Sequence, residues 1–240
     1  MRYLRSFLFN TLLFISTPFY TAAAFLFCWL SYDKRYPFLI AWQRSMIWLA
    51  EKICGIRYEV KGLENLPNEP CIIASNHQSA WETLAFCVIF PNICFVLKKE
   101  LLYLPFFGWA LWLWQPIAID RKQKSGVLEQ VIRQGSERLA LGRSVIIFPE
   151  GKRMPADQPG QVRSGAAALA RATGAPLVPV SHNAGKFWPR RGWLKYPGLI
   201  TVHIGKAIYP ENHEYEQNKL HCKLVSTITK QIKILQHKNP

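Results

Sequence analysis

The strongest constraint on the fold is the alternation, after residue 55, of short apolar runs with longer segments of helical periodicity. Short runs rich in Val and Ile predict buried strands, and the segments between them are long enough for crossover helices. The strand candidates are residues 57–60, 71–75, 94–97, 117–119, 145–148, 177–181 and 201–204. The helix candidates are residues 80–90, 104–114, 125–141, 165–173 and 215–237. This order predicts a single α/β domain over residues 55–240, with a largely parallel mixed sheet flanked by helices.

Residues 1–54 differ in character and predict an N-terminal hydrophobic helical membrane anchor. No charged residue occurs from residue 7 to residue 32, a length that can span a bilayer, and Pro18 predicts a kink or an interruption there. A second apolar stretch, residues 38–53, includes Arg44 and Glu51 and predicts an interfacial helix. Basic residues flank both ends, so they do not define an orientation. The anchor is either a single span or a helical hairpin held in one leaflet.

Six cysteines are spread along the chain without a C-x-x-C pair, and most fall in apolar runs. This pattern predicts buried free thiols in a reducing compartment. It also argues against export, although Ala22-Ala23-Ala24 resembles a signal-peptide cleavage site. Apolar residues continue past that site to Leu30, so a retained anchor is favoured.

The formal net charge is +15, from 30 Lys and Arg against 15 Asp and Glu. Such a charge attracts nucleic acid, anionic membranes or phosphorylated substrates. Nine Trp and fourteen Phe favour a membrane-interface protein, and no zinc-finger, RNA-binding or basic-zipper pattern is present. The composition therefore predicts an anionic membrane as a partner and excludes nucleic acid.

His77 follows the strand candidate 71–75, and Glu82 follows five residues later, near the start of the next helix. An imidazole with an unperturbed pKa of about 6.5 suits a general base, and a carboxylate can fix its tautomer and stabilise its protonated form. Ser79-x-x-Glu82 also fits a capping box, in which Glu82 would accept a backbone N–H and take no part in chemistry. The motif alone leaves the two interpretations open.

Cations follow two other strand candidates at their carboxyl ends, where ligands bind in open α/β sheets. Asp120-Arg121 follows one, and Pro149-Glu150-Gly151-Lys152-Arg153 follows another. Arginine forks and a lysine point charge suit phosphate oxygens, and the glycine lets backbone N–H groups approach a ligand. Together with His77 they predict a site for a phosphorylated substrate.

Other chemistry finds little support in the sequence, which has no G-x-S-x-G elbow, P-loop, G-x-G-x-x-G or metal-ligand cluster. His182, directly after a strand candidate, is the one further histidine of interest. Residues 187–196 mix aromatic and cationic side chains, which is typical either of a membrane rim or of a packed surface loop.

Four blocks of the sequence, which begin at His77, Ile119, Phe148 and Val178, resemble in their order the glycerolipid acyltransferase family. This family is the group of 1-acylglycerol-3-phosphate and glycerol-3-phosphate acyltransferases. The matching region runs from about residue 60 to residue 208. Two positions depart from the family pattern: Glu82 stands where Asp is usual, and Lys152 where Thr or Ser is usual. The blocks are His77 with Glu82, Ile119-Asp120-Arg121, Phe148-Pro149-Glu150-Gly151-Lys152-Arg153 and Val178-Pro179-Val180.

The resemblance implies a catalytic pair, a phosphate site and residues that support the pocket or bind substrate. It assigns the first to His77 and Glu82, the second to Arg121, Gly151, Lys152 and Arg153, and the third to Glu150 and Asn76. Backbone N–H groups near Gly151 or Ser79 are candidates for the oxyanion donors.

The resemblance also implies an activity, namely transfer of a fatty acyl group to the free hydroxyl of 1-acyl-sn-glycerol-3-phosphate, giving phosphatidic acid. The donor would be acyl-CoA or acyl carrier protein, no metal or organic cofactor would be needed, and the site would face the cytoplasm. The extra cation Lys152 leaves another lyso-lipid acceptor open, such as a lyso-ornithine lipid or another lysophospholipid. A non-catalytic, membrane-associated lipid-binding protein of the same fold is the alternative of a different class.

Overall fold

The computed structural model describes residues 1–122, 126–210 and 217–237. The strands are β1 (Ile56–Lys61), β2 (Ile72–Ser75), β3 (Ile93–Lys98), β4 (Ile117–Ile119), β5 (Ser144–Ile147), β6 (Leu177–His182) and β7 (Gly198–Ile204). The helices are α1 (Arg2–Phe25), α2 (Tyr32–Cys54), α3 (Trp81–Ile89), α4 (Phe107–Leu113), α5 (Val127–Ala140), α6 (Gly165–Thr173), α7 (Ala184–Phe187) and α8 (Gln217–His237). Short 3-10 helices span Leu63–Asn65 and Lys99–Tyr103.

The strands form one sheet in the order β1-β7-β6-β2-β5-β3-β4. Neighbours from β6 to β4 are parallel, whereas β7 runs antiparallel to β6 and pairs in parallel with β1. Strands β2 and β6 are buried along their whole length, as expected of central strands covered on both faces. The predicted α/β fold with a largely parallel sheet is confirmed, and the loops after β2, β3, β4, β5 and β6 meet at one edge.

Successive strand residues face opposite sides of the sheet, and each side has its own hydrophobic core. Ile73 of β2 packs with α1, α2, α3 and α4, whereas Ile72 and Ala74 pack with α5, α6 and α8. Helix α2 ends at Cys54 because Gly55 adopts a left-handed conformation with φ 71°. Helices α1 and α2 thus share a core with the sheet, and the division into residues 1–54 and 55–240 stays a prediction.

Helix α1 continues through Pro18, so the predicted interruption is not found. Contacts with α2 hold the helix on both sides of the proline: Trp42 donates to Ser16 Oγ at 3.0 Å, and the Tyr20 hydroxyl donates to the carbonyl of Leu39. Among the helices of the described residues, α1 is the one whose length and composition would let it cross a membrane. Its exposed apolar side fits a membrane anchor and indicates, weakly by itself, membrane association.

The predicted helices agree with the structure to within a few residues, except that the helix predicted over residues 38–53 is α2, which starts at Tyr32. Helix α4 starts at Phe107 instead of Leu104. Pro105 disfavours a helical conformation at Leu104, and Phe106 has a φ of 59°, so a helix cannot form through these residues. Helix α7 was not predicted because a four-residue helix leaves no periodic pattern. The predicted first residues of two helices, Ser125 and Tyr215, lie outside the described residues.

The cysteine prediction is confirmed at four positions and wrong at two. All six side chains are free thiols. Cys28 follows α1 in an exposed turn and Cys222 lies on the outer side of α8, because an apolar run in the sequence does not fix which side of an element faces the core. The buried thiols are Cys54, Cys71, Cys87 and Cys94.

Candidate active site

His77 lies in the loop between β2 and α3, and Glu82 lies in the first turn of α3. The Nδ1 atom of His77 is 2.9 Å from Oε1 of Glu82. The loop turns the imidazole back towards the carboxylate, which a continuous helix over both positions would not allow. With Nδ1–H donating to the carboxylate, Nε2 keeps its lone pair and can accept a proton.

The same carboxylate oxygen also stabilises the start of α3. Oε1 of Glu82 accepts the backbone N–H groups of Gln78 at 2.8 Å and Ser79 at 2.6 Å. The Ser79 hydroxyl in turn accepts the N–H of Trp81 at 3.0 Å. The two interpretations left open by the sequence therefore coexist, because one oxygen holds both the helix start and the imidazole of His77.

Glu82 is fully buried, and burial by itself raises the pKa of a carboxyl group. Three neighbours outweigh the effect of burial and hold the pKa of Glu82 below its ordinary value. They are the positive charge that His182 carries when protonated, the hydrogen bond and charge of His77, and the N–H of Ser79. Burial lowers the pKa of His182, so the His182 ring is neutral near pH 7. At that pH the hydrogen bonds from His77 and Ser79 stabilise the Glu82 carboxylate. Glu82 is therefore ionised beside His77.

His182, at the end of β6, supports the loop from behind. Its Nε2 donates to the carbonyl of Asn76 at 2.9 Å, and its Nδ1 accepts the N–H of Ala184 at 3.2 Å, which fixes the tautomer. The Asn76 side chain bonds the backbone N–H and C=O of His182, each at 3.0 Å. Asn76 is buried, and both polar ends of its amide are occupied by these contacts. Its geometry is that of pocket support.

Glu150 connects the His77 loop to the loop after β5. Its Oε2 accepts the N–H of His77 at 2.7 Å, and its Oε1 accepts the N–H of Gly160 at 2.8 Å. The carbonyl of His77 accepts the N–H of Met154 at 2.7 Å, and Phe148 stacks on the imidazole with centroids 4.1 Å apart. Burial raises the pKa of Glu150, although the two N–H groups oppose that shift. His77 is thus held in place by contacts to its imidazole ring and to both its backbone N–H and its backbone carbonyl.

Cations from two neighbouring loops lie beside Gly151. Arg121 donates from Nη1 to the carbonyl of Gly151, whose φ of 72° favours glycine. A Cβ at Gly151 would lie 3.5 Å from Nη1 of Arg121 and 3.7 Å from Nη1 of Arg163. The pKa of Arg121 is lowered mainly by burial and, to a smaller extent, by the positive charge of Arg163. Within the described part of the chain, no ion pair involves Arg121, Lys152, Arg153 or Arg163, so their charge is open to an anion.

Arg163 was missed as a site residue by the sequence prediction. It lies at the far end of the loop between β5 and α6, and its N–H donates to the carbonyl of Pro149 at 3.1 Å. Because that bond brings the two ends of the loop together, Arg163 reaches Gly151. Its place immediately before a helix of small residues was the available signal. Asp120, in contrast, pairs with Lys99.

A cavity of about 1130 Å³ opens at this edge of the sheet. It exceeds the range of roughly 300–1,000 Å³ that is usual for ligand pockets. His77 and the cations Arg121, Lys152, Arg153 and Arg163 contribute its polar lining. Its apolar lining comes from α1, α3, α4 and β3 and includes Leu13, Phe14, Leu84, Phe95, Phe107 and Leu111. One cavity therefore joins a base, unpaired cations and an apolar wall, as an anionic amphiphile requires.

Two of the candidate oxyanion donors, the N–H groups of Ser79 and Gly151 themselves, are already bonded in the structure. The N–H of Ser79 donates to Glu82, and the N–H of Gly151 donates to the carbonyl of Phe148 at 2.9 Å. The backbone N–H groups next to these two residues stay candidates for the oxyanion donors.

A histidine–carboxylate pair at the carboxyl edge of a parallel sheet, beside cations and an apolar cavity, defines a class of acid–base enzymes for anionic amphiphiles. The family model described as Acyltransferase matches residues 57–183, which include all the predicted site residues. This chain belongs to the acyltransferase family.

Relatives and a solved structure agree with this assignment. The chain is 52% identical over 183 residues to 1-acyl-sn-glycerol-3-phosphate acyltransferase from Pseudomonas aeruginosa, covering 76% of this chain and 71% of that protein. It is 33% identical to the Saccharomyces cerevisiae protein of the same name, covering 66% of this chain and 54% of the yeast protein. The crystal structure of PlsC, the 1-acyl-sn-glycerophosphate (LPA) acyltransferase from Thermotoga maritima, shares the fold with a TM-score of 0.81. The two sequences are 21% identical, over 98% of this chain and 96% of that one.

Proposed function

We propose that this protein transfers a fatty acyl group from an acyl thioester to the free hydroxyl of 1-acyl-sn-glycerol-3-phosphate, giving phosphatidic acid. The observation that carries the proposal is that His77, with Nδ1 bound by the buried Glu82, lines the same cavity as Arg121 and Arg153. The names of the relatives support the same reaction.

The chemistry follows from the atoms that face the cavity. Nε2 of His77 removes the proton of the acceptor hydroxyl, and the oxygen attacks the thioester carbonyl carbon. The tetrahedral intermediate collapses, the C–S bond breaks, and the thiolate takes the proton back from the imidazolium. Glu82 stabilises that imidazolium, and general-base help of this kind is worth ~10²–10⁴-fold. The transfer is direct and forms no acyl-enzyme.

Substrate placement supplies much of the remaining acceleration. The acceptor phosphate is bound by Arg121, Lys152 and Arg153 around Gly151, with Arg163 alongside. Acyl chains lie along the apolar lining contributed by α1, α3 and α4. Glu150 and Asn76 support the pocket from behind, since both are buried and bonded to backbone groups.

The donor is acyl-CoA or acyl carrier protein, and the proposed reaction uses no metal or organic cofactor, since a base and placed cations suffice for acyl transfer. Nucleic acid has no part in it. The site faces the cytoplasm, where thiol-carried acyl groups are found, and the protein sits on an anionic membrane. In a bacterium this is the inner membrane.

The hairpin of α1 and α2 is proposed to lie in one leaflet and not to span the bilayer. Helix α1 contacts the α/β body near both ends: Asn10 donates to the carbonyl of Trp193 at 2.9 Å, and Thr21 donates to the carbonyl of Phe106 at 3.3 Å. A helix fastened to the body at both ends cannot leave it to cross a membrane. Helix α1 also exposes apolar side chains, among them Tyr3, Leu4, Phe7, Leu8, Ile15 and Phe19.

The deciding experiment measures thiol release by the purified protein in detergent, with a saturated acyl-CoA or acyl carrier protein as donor. The acceptor panel holds 1-acyl-sn-glycerol-3-phosphate, lysophosphatidylcholine, a lyso-ornithine lipid and monoacylglycerol. We expect the phosphate-bearing acceptor to give the highest kcat/KM. Higher kcat/KM with a lyso-ornithine lipid or lysophosphatidylcholine would move the assignment to that acceptor, as the extra cation Lys152 allows. No release with any acceptor would leave the lipid-binding alternative.

A further inference from the structure

Residues 188–197, between α7 and β7, form a segment that is seated on α1; we call it the docking segment. Trp188 is buried and packs edge-on against Phe9 of α1, with ring centroids 5.1 Å apart and an interplanar angle of 90°. Trp193 is largely exposed, yet its ring lies 5.9 Å from that of Phe14. Of the two interpretations of this aromatic and cationic stretch, the packed surface loop describes its contacts with the protein.

Polar groups fasten the docking segment to an otherwise apolar helix. Lys195 is buried, and its Nζ donates to Oδ1 of Asn10 at 3.0 Å and to the carbonyl of Trp193 at 3.1 Å. The backbone N–H of Lys195 donates to Oγ of Ser6 at 2.9 Å, and its ammonium lies 4.9 Å from the ring centroid of Trp188. Buried polar groups with good partners fix a single geometry, so the segment has one position on α1.

Arg190 extends from the docking segment to the loop after β5 that carries Gly151, Lys152 and Arg153, which we call the acceptor loop. It donates from Nη1 to the backbone carbonyl of Arg153 at 2.7 Å. The same peptide group, between Arg153 and Met154, donates its N–H to the carbonyl of His77 at 2.7 Å. Both ends of one peptide plane are therefore held, one by Arg190 and the other by the loop that carries the base.

That peptide plane sets the direction in which Arg153 leaves the backbone. A peptide plane turns about one soft dihedral on each side, here ψ of Arg153 and φ of Met154. Fixing the plane at both its C=O and its N–H restricts these two dihedrals. Because Arg153 lines the cavity beside Lys152 and Gly151, fixing this plane aims its guanidinium at the place proposed for the acceptor phosphate.

We propose that Arg190 is a positioning residue for acceptor binding, which acts by holding the Arg153–Met154 peptide and so orients Arg153. This rests on the proposed function. Arg191 is adjacent, carries the same charge and is exposed, and it serves as the matched control.

The test compares Arg190→Gln with Arg191→Gln, which lose the same charge. Arg190→Gln should raise KM for 1-acyl-sn-glycerol-3-phosphate about tenfold, the scale of one hydrogen bond from a charged donor, with kcat and the donor KM within about twofold. Arg191→Gln should leave all three constants unchanged. Thermal unfolding of both variants is measured alongside, since a purely structural role would lower Tm and kcat together.

A double-mutant cycle with Arg153→Gln isolates the route of the effect. If Arg190 acts through Arg153, Arg190→Gln adds almost no further rise in KM on the Arg153→Gln background. A full additional tenfold rise there, or equal KM values in Arg190→Gln and Arg191→Gln, overturns the inference. If Arg190→Gln does not fold, Arg190→Lys takes its place in the cycle, with the same two outcomes. Absence of any turnover by the wild-type protein would instead overturn the proposed function, so the two failures are distinguishable.

Discussion

The His77 loop and the cation loops lie at the same edge of the sheet but are built in opposite ways. In the first, neighbouring residues hydrogen-bond His77, Asn76 and Oε1 of Glu82, and Glu82 and Asn76 are fully or almost fully buried. Among the described residues, Oε2 of Glu82 has no hydrogen-bond partner. In the second, Arg121 and Arg163 lie close together without a carboxylate partner among the described residues. The hydrogen bonds of the His77 loop hold its geometry before substrate arrives, whereas unpaired cations gain their counter-charge from the ligand. The contrast separates residues expected to govern kcat from residues expected to govern KM.

The largest effect is expected from removing the base. His77→Ala should lower kcat by ~10²–10⁴-fold, because no other group takes the acceptor proton. KM for the acceptor should change little, since the cations are intact. Thiol release under saturating substrates measures kcat, and His221→Ala on α8 controls for loss of an imidazole remote from the site. Retention of wild-type kcat by His77→Ala would remove the base from the mechanism.

The second effect separates the two duties of Glu82. Glu82→Gln keeps an oxygen that can accept the N–H groups of Gln78 and Ser79, but it cannot stabilise the imidazolium of His77. We expect kcat to fall by about 10²-fold, in the range of general-base catalysis, while far-UV circular dichroism stays unchanged. Normal folding with full turnover would mean that Glu82 only starts the helix.

Glu82→Asp tests the one-methylene departure from the family pattern. The shorter arm loses contact either with Nδ1 of His77 or with the N–H groups that Oε1 now accepts. We therefore expect Glu82→Asp, like Glu82→Gln, to lower kcat in the same assay. A faster Glu82→Asp enzyme would mean that the loop readily adapts to the shorter acid.

The cation loops predict the opposite kinetic signature. Arg121→Ala should raise KM for 1-acyl-sn-glycerol-3-phosphate about tenfold and leave kcat within a few-fold, because it removes a contact to the phosphate and not the base. Lys122→Ala, an exposed neighbour, is the control for charge alone. A fall in kcat with unchanged KM would contradict the division of labour between the two regions.

Sequence reasoning predicted the parts of this site that are local in the chain. The apolar runs located the seven strands of the described residues, and parallel pairing then placed His77, Arg121 and Gly151 at one edge. It missed Arg163 and Arg190, because each reaches the acceptor loop through a contact that depends on how distant loops fold. The shared oxygen of Glu82 could not be inferred either, since spacing distinguishes a cap from a dyad only when the helix start is known.

The smallest expected effect is on stability in acid, and it tests the buried side of the comparison. The pKa of Glu82 in the folded protein lies below its ordinary value, since burial, which raises it, is outweighed by the histidines and the N–H of Ser79. The ionised carboxylate therefore stabilises the fold above the unfolded-state pKa of about 4.3, and this contribution is lost as the pH falls through the lower folded value.

The free energy of unfolding of the wild type should exceed that of Glu82→Gln by about 1 kcal/mol at neutral pH, the scale of one hydrogen bond. The difference should narrow as the pH falls from the unfolded-state pKa of about 4.3 through the lower folded-state pKa of Glu82, because the protonated carboxyl resembles glutamine. Glu150, whose pKa is raised by burial, contributes with the opposite sign. That part is common to both proteins, and only the smaller rise caused by the charge of Glu82 differs between them. Urea titrations across the acid range measure the difference, with the exposed Glu129→Gln as control. If the difference in the free energy of unfolding stays constant down to low pH, the His77 loop does not stabilise the ionised form of Glu82 over the protonated form.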